Sequence, residues 1–358
     1  MSKKHEKILI KIGSNVLTLE SGLPDVARIA HIVEQVAELR SQGTEVILVS
    51  SGAVAAGRSK INSTNSLDTI SRRQVLASIG QVELMKIYNE NFSSKNLLCS
   101  QVLVTKEDFR TRAHYLNMKN CLEALLNSGI TPIINENDVI SITELMFTDN
   151  DELSGLVAAM MDVDALVILT NVDGIYTGNP SDSDSQLISE YNENEVDLEE
   201  FVVTTKSNFG RGGMVAKANT ATKLSKLGVE VYIGNGLKEG IVKDLLGKKS
   251  GTSFAPVKNG TSNVKKWVAQ SGSFAKGHIT VNAGAKDALT SKQATSLLPI
   301  GVVEILGEFK KGDVINIIDE KGKSIGLGQV KYDSDKAREY MGVKGSPVLV
   351  HYNYLVLS

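Results

Sequence analysis

Hydrophobic residues follow two different spacings along the first 255 residues of this 358-residue chain. Short runs of Val, Ile and Leu, such as residues 8–10 and 46–49, alternate with longer segments whose apolar residues lie three or four positions apart. The short runs predict strands that are buried on both faces, and the longer segments predict helices. This alternation predicts an α/β fold, a three-layer αβα sandwich with a mostly parallel central sheet.

The predicted strands end at polar or glycine-containing segments. In a parallel sheet, ligands bind beyond the carboxyl ends of the strands, so these segments are candidates for a single site. We predict strands at residues 7–12, 45–49, 97–105, 131–135, 165–170 and 229–233. We predict helices at residues 25–41, 114–127, 151–161 and 220–227. The segments that follow strands are 11–13, 50–52, 135–138, 170–171 and 234–236.

The pattern changes in the last part of the chain. There, short apolar runs are separated by glycine turns, which predicts a small, mostly β domain with one helix at residues 334–340. Its predicted strands are residues 277–281, 301–306, 314–318, 325–330 and 347–352. A stretch rich in Gly, Ser, Lys and Thr at residues 247–264 marks the boundary. We therefore predict a first domain over residues 1–255, a linker over 256–275 and a second domain over 276–358.

The charge and the cysteine content argue against several classes of protein. A formal net charge of −2 argues against a large nucleic-acid surface and against a polybasic membrane surface. The two cysteines fit neither a disulfide framework nor a zinc site. The N-terminus does not resemble a secretory signal, and the apolar stretch at residues 156–169 is too short to span a bilayer. We expect a cytoplasmic protein without membrane attachment.

Two lysines with nearby glycines are candidates for binding a polyphosphate. Lys11 lies at the end of the first predicted strand, and Lys217 closes a glycine-rich stretch that begins at Gly210. Ammonium groups bind phosphate oxygens, and backbone N–H groups of glycines can add donors; the glycines concerned are Gly13, Gly52, Gly212 and Gly213. Each lysine alone is also compatible with a solvated charge, and the glycine run with a flexible loop. The chain contains neither a Walker A motif nor a dinucleotide-binding motif.

Two clusters of amides and acids suit a small substrate that carries an amine. They are Asn135-Glu136-Asn137-Asp138, directly after a predicted strand, and Asp149-Asn150-Asp151, at the start of a predicted helix. Carboxylates and amide carbonyls bind an ammonium group. The same residues are also typical of turns and helix caps, and Asn150 or Asp151 is expected to cap the helix that follows. Together with the lysines, the clusters indicate phosphoryl transfer to a small molecule.

These motifs resemble those of the glutamate 5-kinases, a branch of the amino acid kinase family. The resemblance rests on Lys11-Ile12-Gly13-Ser14 and on residues 50–57, 135–138, 149–154 and 212–217. The last part of the chain resembles a PUA domain at residues 277–285, 296–301 and 312–314. The resemblance covers essentially the whole chain.

The resemblance implies ATP-dependent phosphorylation of the γ-carboxylate of L-glutamate, the first step of proline synthesis. ATP and Mg²⁺ would be required, proline would act as feedback inhibitor, and the chain would form a homo-oligomer. The alternatives are a kinase of the same fold acting on acetylglutamate, aspartate or carbamate, or an RNA-binding protein. Residues 276–358 contain 11 Lys and Arg against 9 Asp and Glu, a balance that does not support RNA binding through the PUA domain.

The resemblance also assigns roles to individual residues. Lys11 and Lys217 would contact the phosphates, and Asp151 would orient both lysines. The substrate-binding positions would be Ser51, Gly52, Asn135, Asp138 and Asn150. The ATP-binding positions would be Lys11, Gly13, Thr170, Asn171, Arg211, Gly212, Gly213, Met214, Val215, Ala216 and Lys217. No residue is assigned as a direct metal ligand.

The chain departs from the family pattern at three positions. Thr148, Asn171 and Arg211 stand where the family often has Gly, Asp and Thr. Arg211 adds a cation near the expected nucleotide, and Asn171 removes an anion. These changes affect the expected contacts with the nucleotide and leave the expected reaction unchanged.

Overall fold

The computed structural model describes residues 5–357, apart from residues 62–65, 110–111, 142–146, 148, 181, 192–212, 258–264, 266–267, 270–271, 273–274 and 292–294. The chain divides into two compact units. The first comprises Met1–Lys106 and Lys119–Asn259, and the second comprises Glu107–Met118 and Gly260–Ser358.

The first unit contains an eight-stranded sheet. Its strand order is β3-β4-β2-β1-β5-β7-β8-β6. All neighbouring strands are parallel except β7 and β8, which are antiparallel. The strands are β1 Lys7–Ile12, β2 Glu45–Ser50, β3 Leu98–Val104, β4 Ile130–Glu136, β5 Ala165–Thr170, β6 Glu190–Tyr191, β7 Glu230–Asn235 and β8 Thr252–Phe254. The predicted mostly parallel α/β sheet is thus confirmed.

Helices cover both faces of this sheet. In chain order, the helices before β9 are α1 Ser14–Leu17, α2 Val26–Ser41, α3 Ala53–Arg58, α4 Thr69–Ser94, α5 Arg112–Asn127, α6 Asn150–Met161, α7 Met214–Lys226 and α8 Ile241–Leu246, with a 3₁₀ turn at Lys106–Phe109. Residues 107–118, which include most of that turn and the start of α5, belong to the second unit. Ile10 and Ile12 of β1 pack in one hydrophobic cluster with residues of α2, α4 and α8. Side chains alternate along a strand, so Lys11 faces the opposite side, where α6 packs against β1.

The longest helix, α4, was not predicted from the sequence. It has 26 residues, begins after the N-cap Asp68 and buries Leu76, Leu84 and Phe92 among others. Its outward side also carries apolar residues, such as Val82, which is 71% exposed. Because apolar residues lie on both sides of α4, they do not form the single stripe from which a helix is predicted.

Helix α4 crosses α3 at two glycines. A Cβ atom on Gly80 would lie 1.7 Å from Ala53 O, and a Cβ atom on Gly57 would lie 2.0 Å from Leu76 O. Both distances are far shorter than any real contact, so only glycine fits at either position. The crossing holds α4 close to the carboxyl end of β2, which leads into α3.

Three predicted elements differ from the structure. The helix predicted at residues 220–227 already begins at Met214, because Ala216, Lys217 and Ala218 favour helix once the glycine run has ended. The polar stretch at residues 247–264 contains β8, a buried strand of the main sheet. The strand predicted at residues 347–352 is Val350–Leu357, since Pro347 cannot donate a hydrogen bond to a neighbouring strand.

The second unit contains a five-stranded sheet with the order β10-β9-β11-β12-β13. Its elements are β9 Gly277–Val281, α9 Ala283–Thr290, a 3₁₀ turn Pro299–Gly301, β10 Val302–Gly307, β11 Val314–Asp319, β12 Ser324–Val330, α10 Ser334–Tyr340 and β13 Val350–Leu357. The strands enclose a separate hydrophobic core that includes Ile279, Ile317 and Val350. The predicted small, mostly β domain is confirmed.

In the described ranges, no helix combines the length and the apolar character needed to cross a bilayer.

Candidate active site

A buried carboxylate joins the two candidate lysines. Asp151 Oδ1 lies 2.6 Å from Lys11 Nζ, and Asp151 Oδ2 lies 2.9 Å from Lys217 Nζ. Asp151 is 0% exposed, Lys11 4% and Lys217 7%. We call these three residues the lysine cluster. One carboxylate faces two ammonium groups, so the cluster retains positive charge that can stabilise an anion.

Three different elements bring the cluster together. Lys11 lies on β1 near its carboxyl end, Asp151 in the first turn of α6, and Lys217 in the first turn of α7. The chain then turns at Gly13, where an added Cβ atom would lie 3.2 Å from Leu169 O and 3.6 Å from Lys11 Nζ. The Gly13 N–H donates to Leu169 O at 3.1 Å in this structure, and the expectation that it donates to a phosphate stays a prediction.

The cluster is electrostatically stable with Asp151 ionised. Burial of the Asp151 carboxyl opposes ionisation, but the charges of Lys11 and Lys217 outweigh it and hold its pKa below the usual value. The neighbouring acid, Asp149, behaves in the opposite way. Burial, together with the negative charge of Asp151, raises the pKa of Asp149. Two carboxyl groups two residues apart therefore differ because only one contacts both ammonium groups.

Asp149 caps helix α6. Its Oδ1 atom accepts hydrogen bonds from the N–H groups of Asp151 and Glu152, each at 2.9 Å. The sequence had indicated Asn150 or Asp151 as the cap, and that expectation is wrong, because the cap is Asp149. Because Asp149 caps the helix, the side chains of Asn150 and Asp151 are not needed as caps, and both residues line the cavity.

Four polar side chains form a continuous chain of hydrogen bonds on another side of the cavity. Asn135 Nδ2 donates to Gln81 Oε1 at 3.0 Å. Asn150 Nδ2 donates to Asn135 Oδ1 at 3.2 Å and to Ser51 Oγ at 2.8 Å. We call Gln81, Asn135, Asn150 and Ser51 the amide chain. Its members come from α4, β4, α6 and the end of β2, so it ties four elements together.

Asp138 is held by an arginine that the sequence did not single out. Arg73 Nη2 makes a short contact with Asp138 Oδ1 and lies 3.4 Å from Glu136 Oε2. Glu136 Oε1 accepts a hydrogen bond from the N–H of Phe147 at 2.9 Å. The Asp138 side chain is only 10% exposed. Its carboxylate therefore has a fixed position next to a cation, at the end of β4.

The remaining candidate residues lie at two other element ends. Gly52, with φ of 108°, is the N-cap of α3 and adopts a left-handed conformation that favours glycine. Thr170 ends β5, and its Oγ1 lies 3.4 Å from Asn171 Oδ1. Gly213 caps α7, whose first turn presents backbone N–H groups and the positive end of the helix dipole. Arg211 and Gly212 lie outside the described residues.

One cavity of about 740 Å³ collects most of these candidates. Its wall includes Lys11, Gly13, Ser51, Gly52, Asn135, Asp138, Asn150, Asp151, Thr170, Asn171, Gly213, Met214 and Lys217. Val215 and Ala216 belong to the same turn of α7 but, among the described residues, they are not part of this wall. The volume lies in the range of small-molecule sites.

Sequence reasoning missed several residues of this wall. Arg58, Arg72 and Arg73 add positive charge, and Tyr176 adds an aromatic ring after β5. Gln81 lies behind the wall, against Asn135. The paired arginines in a helix that precedes the Asn135 cluster were a visible signal. Nothing in the sequence indicated that Gln81 would reach Asn135, because 54 positions separate them.

The family profile of the amino acid kinase family matches residues 6–235, and that of the PUA domain matches residues 277–351. The chain belongs to the amino acid kinase family. The resemblance of the strand-end motifs to this family is thereby confirmed. The matched range contains the complete lysine cluster and the complete amide chain.

This amino acid kinase has curated relatives along its whole length. It is 48% identical to the Glutamate 5-kinase of Bacteroides thetaiotaomicron, with 100% of both chains covered. It is 47% identical to the Glutamate 5-kinase of Chlorobaculum tepidum, with 100% of this chain and 99% of the relative covered. Among solved structures, it resembles the carbamate kinase from Giardia lamblia bound to AMP-PNP, with a TM-score of 0.51 and 19% identity, over 70% of this chain and 99% of that one. At that identity the likeness establishes the fold.

Proposed function

We propose that this chain transfers the terminal phosphoryl group of ATP to the γ-carboxylate of L-glutamate, forming L-glutamate 5-phosphate. The observation that carries the proposal is the pair of buried lysines held by Asp151 in the wall of one cavity with Asp138 and Asn150. The first group suits a polyphosphate, and the second suits an amino acid. The two relatives named above, which match the chain from end to end, support this choice of substrate.

The lysine cluster accounts for the catalysis of phosphoryl transfer. A carboxylate is already a nucleophile, so the reaction needs no general base. The barrier is then set by the alignment of two anions and by the negative charge that spreads over the transferred group and the leaving ADP. Lys11 and Lys217 stabilise that charge, and Asp151 holds both ammonium groups in position. The low exposure of all three residues strengthens each of these interactions.

The acidic and amide groups account for the recognition of the substrate. Asp138 offers a carboxylate to an α-ammonium group, and Asn150 and Ser51 offer neutral polar atoms in the wall of the same cavity. Arg73, which pairs with Asp138 in the structure, places a cation beside it. An amino acid presents an ammonium and a carboxylate side by side, so this acid–base pair matches its charge pattern.

Mg²⁺ would enter the site together with the nucleotide. The described residues contain no group of three His, Cys, Asp or Glu side chains suited to a metal ion. Asp151 is already paired with two lysines, so it does not act as a ligand. Phosphoryl-transfer sites commonly bind Mg²⁺ through substrate phosphate oxygens together with one or two carboxylates, and the lysine cluster suits the negative charge that a bound Mg²⁺–ATP retains. When bound, the ion supplies further neutralisation of the phosphates.

The test is ATP turnover by the purified full-length chain with L-glutamate and Mg²⁺, with the acyl phosphate trapped by hydroxylamine. We expect hydroxamate well above a control without enzyme. Acetylglutamate and aspartate are tested in the same assay, and carbamate is tested through ADP formation. Folded protein that prefers one of these acids, or that makes no product from glutamate, contradicts the proposal.

We further propose that the enzyme is cytoplasmic, that proline inhibits it and that it forms a homo-oligomer, as the family resemblance implies. Inhibition is measured as the loss of hydroxamate formation with increasing proline at fixed L-glutamate. The oligomeric state is measured by light scattering on the full-length chain. Activity that is indifferent to proline, or a monomer at assay concentrations, contradicts the corresponding part.

A further inference from the structure

The direction of every hydrogen bond in the amide chain is fixed by one backbone group. The N–H of Glu136 donates to Asn135 Oδ1 at 2.9 Å. A backbone N–H can only donate, so the Asn135 atom that faces it must be the carbonyl oxygen. The Asn135 amide cannot be turned over without placing two donors against each other.

The remaining bonds follow from this starting point. Because Asn135 Oδ1 is an acceptor, Asn150 must present its Nδ2 group there, and the same Nδ2 donates to Ser51 Oγ. On the other side, Asn135 Nδ2 is a donor and requires an acceptor, which is Gln81 Oε1 at 3.0 Å. Asn135 is 4% exposed and Gln81 8%, so water does not easily replace either partner.

The amide chain thereby determines which hydrogen-bond donors and acceptors the cavity presents to a substrate. With Asn150 Nδ2 engaged by two acceptors, Asn150 Oδ1 is the atom that remains, and it has no donor among the described residues. Ser51 Oγ accepts from Asn150, so its own hydrogen is left to donate elsewhere. Asn150 and Ser51 both line the cavity. The wall of this cavity thus contains both a carbonyl acceptor and the carboxylate of Asp138, the two kinds of group that bind an ammonium.

We infer that Gln81 is a positioning residue that selects for the amino group of the substrate by fixing the Asn135 and Asn150 amides. This inference rests on the proposed function. Gln81 lies behind the cavity wall, so it acts through Asn135 and makes no contact of its own with a substrate. The N–H of Glu136 determines which end of the Asn135 amide is the acceptor, and Gln81 holds the other end in place. Removal of the Gln81 acceptor leaves the buried Asn135 Nδ2 without a partner, and the Asn135 side chain then shifts to find one. The Asn150 carbonyl loses its fixed direction as a result.

The test compares three variants of the full-length chain. Gln81→Met keeps the size of the side chain but removes the acceptor, and Gln81→Glu keeps an acceptor oxygen whether the carboxyl is ionised or protonated. Gln35→Met is the matched control: Gln35 is 7% exposed, and its Oε1 accepts a hydrogen bond from the N–H of Val242, away from the cavity. Steady-state kinetics give KM for glutamate, KM for ATP and kcat, and thermal unfolding checks the fold of each variant.

We expect Gln81→Met to raise KM for glutamate about tenfold, with KM for ATP changed less than about twofold. Gln81→Glu should stay within about threefold of the wild type for both substrates, and Gln35→Met should affect thermal stability only. An unchanged KM for glutamate in Gln81→Met overturns the inference, and so does an equal rise of both KM values or the same rise in Gln35→Met. If the wild type itself does not phosphorylate glutamate, that result contradicts the proposed function, and the inference about Gln81 is then wrong as well.

Discussion

Two sides of the same cavity are built from different kinds of interaction. The lysine cluster consists of three formal charges with short ionic contacts of 2.6 and 2.9 Å. The amide chain consists of neutral groups joined by hydrogen bonds of 2.8 to 3.2 Å. Under the proposed function, the negative charge that develops on the transferred phosphoryl group and ADP lies on the side of the lysine cluster. The amino group of the substrate is recognised on the side of the amide chain. Charges are therefore placed where charge develops during the reaction, and directional neutral bonds where one substrate must be distinguished from another.

The largest expected effect tests the charged side. Lys11→Met and Lys217→Met should each lower kcat about 10²- to 10³-fold, because each removes an electrostatic group that acts mainly in the transition state. The measurement is the rate of hydroxamate formation at saturating glutamate and ATP. Lys243→Met is the control, since its side chain is 72% exposed and pairs with Glu38 at the surface. A variant with normal kcat and a raised KM for ATP would mean that the lysine only binds the nucleotide.

Two substitutions at nearby acids test how the charge of each carboxylate contributes to the free energy of unfolding. Asp151→Asn should lower the free energy of unfolding by about 3 kcal/mol at pH 7, because two buried ammonium groups lose their counter-ion. Asp149→Asn should not lower it, since Asn caps a helix as well as Asp and the substitution removes a carboxylate whose ionisation is disfavoured. Chemical denaturation of both variants gives the comparison. Equal destabilisation by both would contradict the distinction between the two acids.

The same pair predicts opposite responses to pH. The pKa of Asp151 is lowered in the folded state, so its contribution to stability is complete above its unfolded pKa of about 3.9 and is lost as pH falls through the folded value. The pKa of Asp149 is raised, so its contribution is present below about 3.9 and is lost as pH rises through the folded value. In acid titrations, Asp151→Asn should therefore weaken the loss of stability at low pH, and Asp149→Asn should not.

A smaller effect is expected on the recognition side. Asp138→Ala should raise KM for glutamate about ten- to hundredfold, the range for loss of one hydrogen bond to a charged group, and should change KM for ATP much less. Glu34→Ala, at an exposed surface pair with Lys95, is the control. If KM for ATP rises more than KM for glutamate, the acid belongs to the nucleotide site and the comparison between the two sides fails.

The smallest effect is expected at Gly213. Among the described residues, no atom would lie within 4 Å of an added Cβ atom there, and the backbone conformation, with φ of −72°, is accessible to any residue. Gly213→Ala should change the free energy of unfolding by less than about 0.5 kcal/mol. If this stable variant loses much of its activity, the added methyl group must occupy space that the nucleotide needs. A large loss of stability would show that the glycine serves the fold instead.

The sequence predicted the central sheet well, because strands that are covered on both faces consist of nearly continuous runs of apolar residues. It did not predict α4, whose apolar residues include Val82 on the exposed side. The lysines could be noticed because they follow a strand or a glycine run. Arg73 and Gln81 could not be placed, since each finds its partner 65 or 54 positions away, across an unpredicted helix. The adjacent Arg72 and Arg73 are visible in the sequence, but no local pattern indicates which distant residue Arg73 or Gln81 contacts.

The crossing of Gly57 and Gly80 has a consequence for changes in the length of the chain. A helix advances about 1.5 Å and rotates about 100° with every residue. A single residue inserted between Arg73 and Leu76 would rotate Arg73 away from Asp138, while the crossing itself, made by Leu76 and Gly80, stays fixed by the lack of space for any side chain. An insertion between Gly80 and Tyr88 would separate Tyr88 from its contact with Ser50 in the same way. Insertions and deletions in α4 should therefore be confined to the turns outside Arg73 and Tyr88.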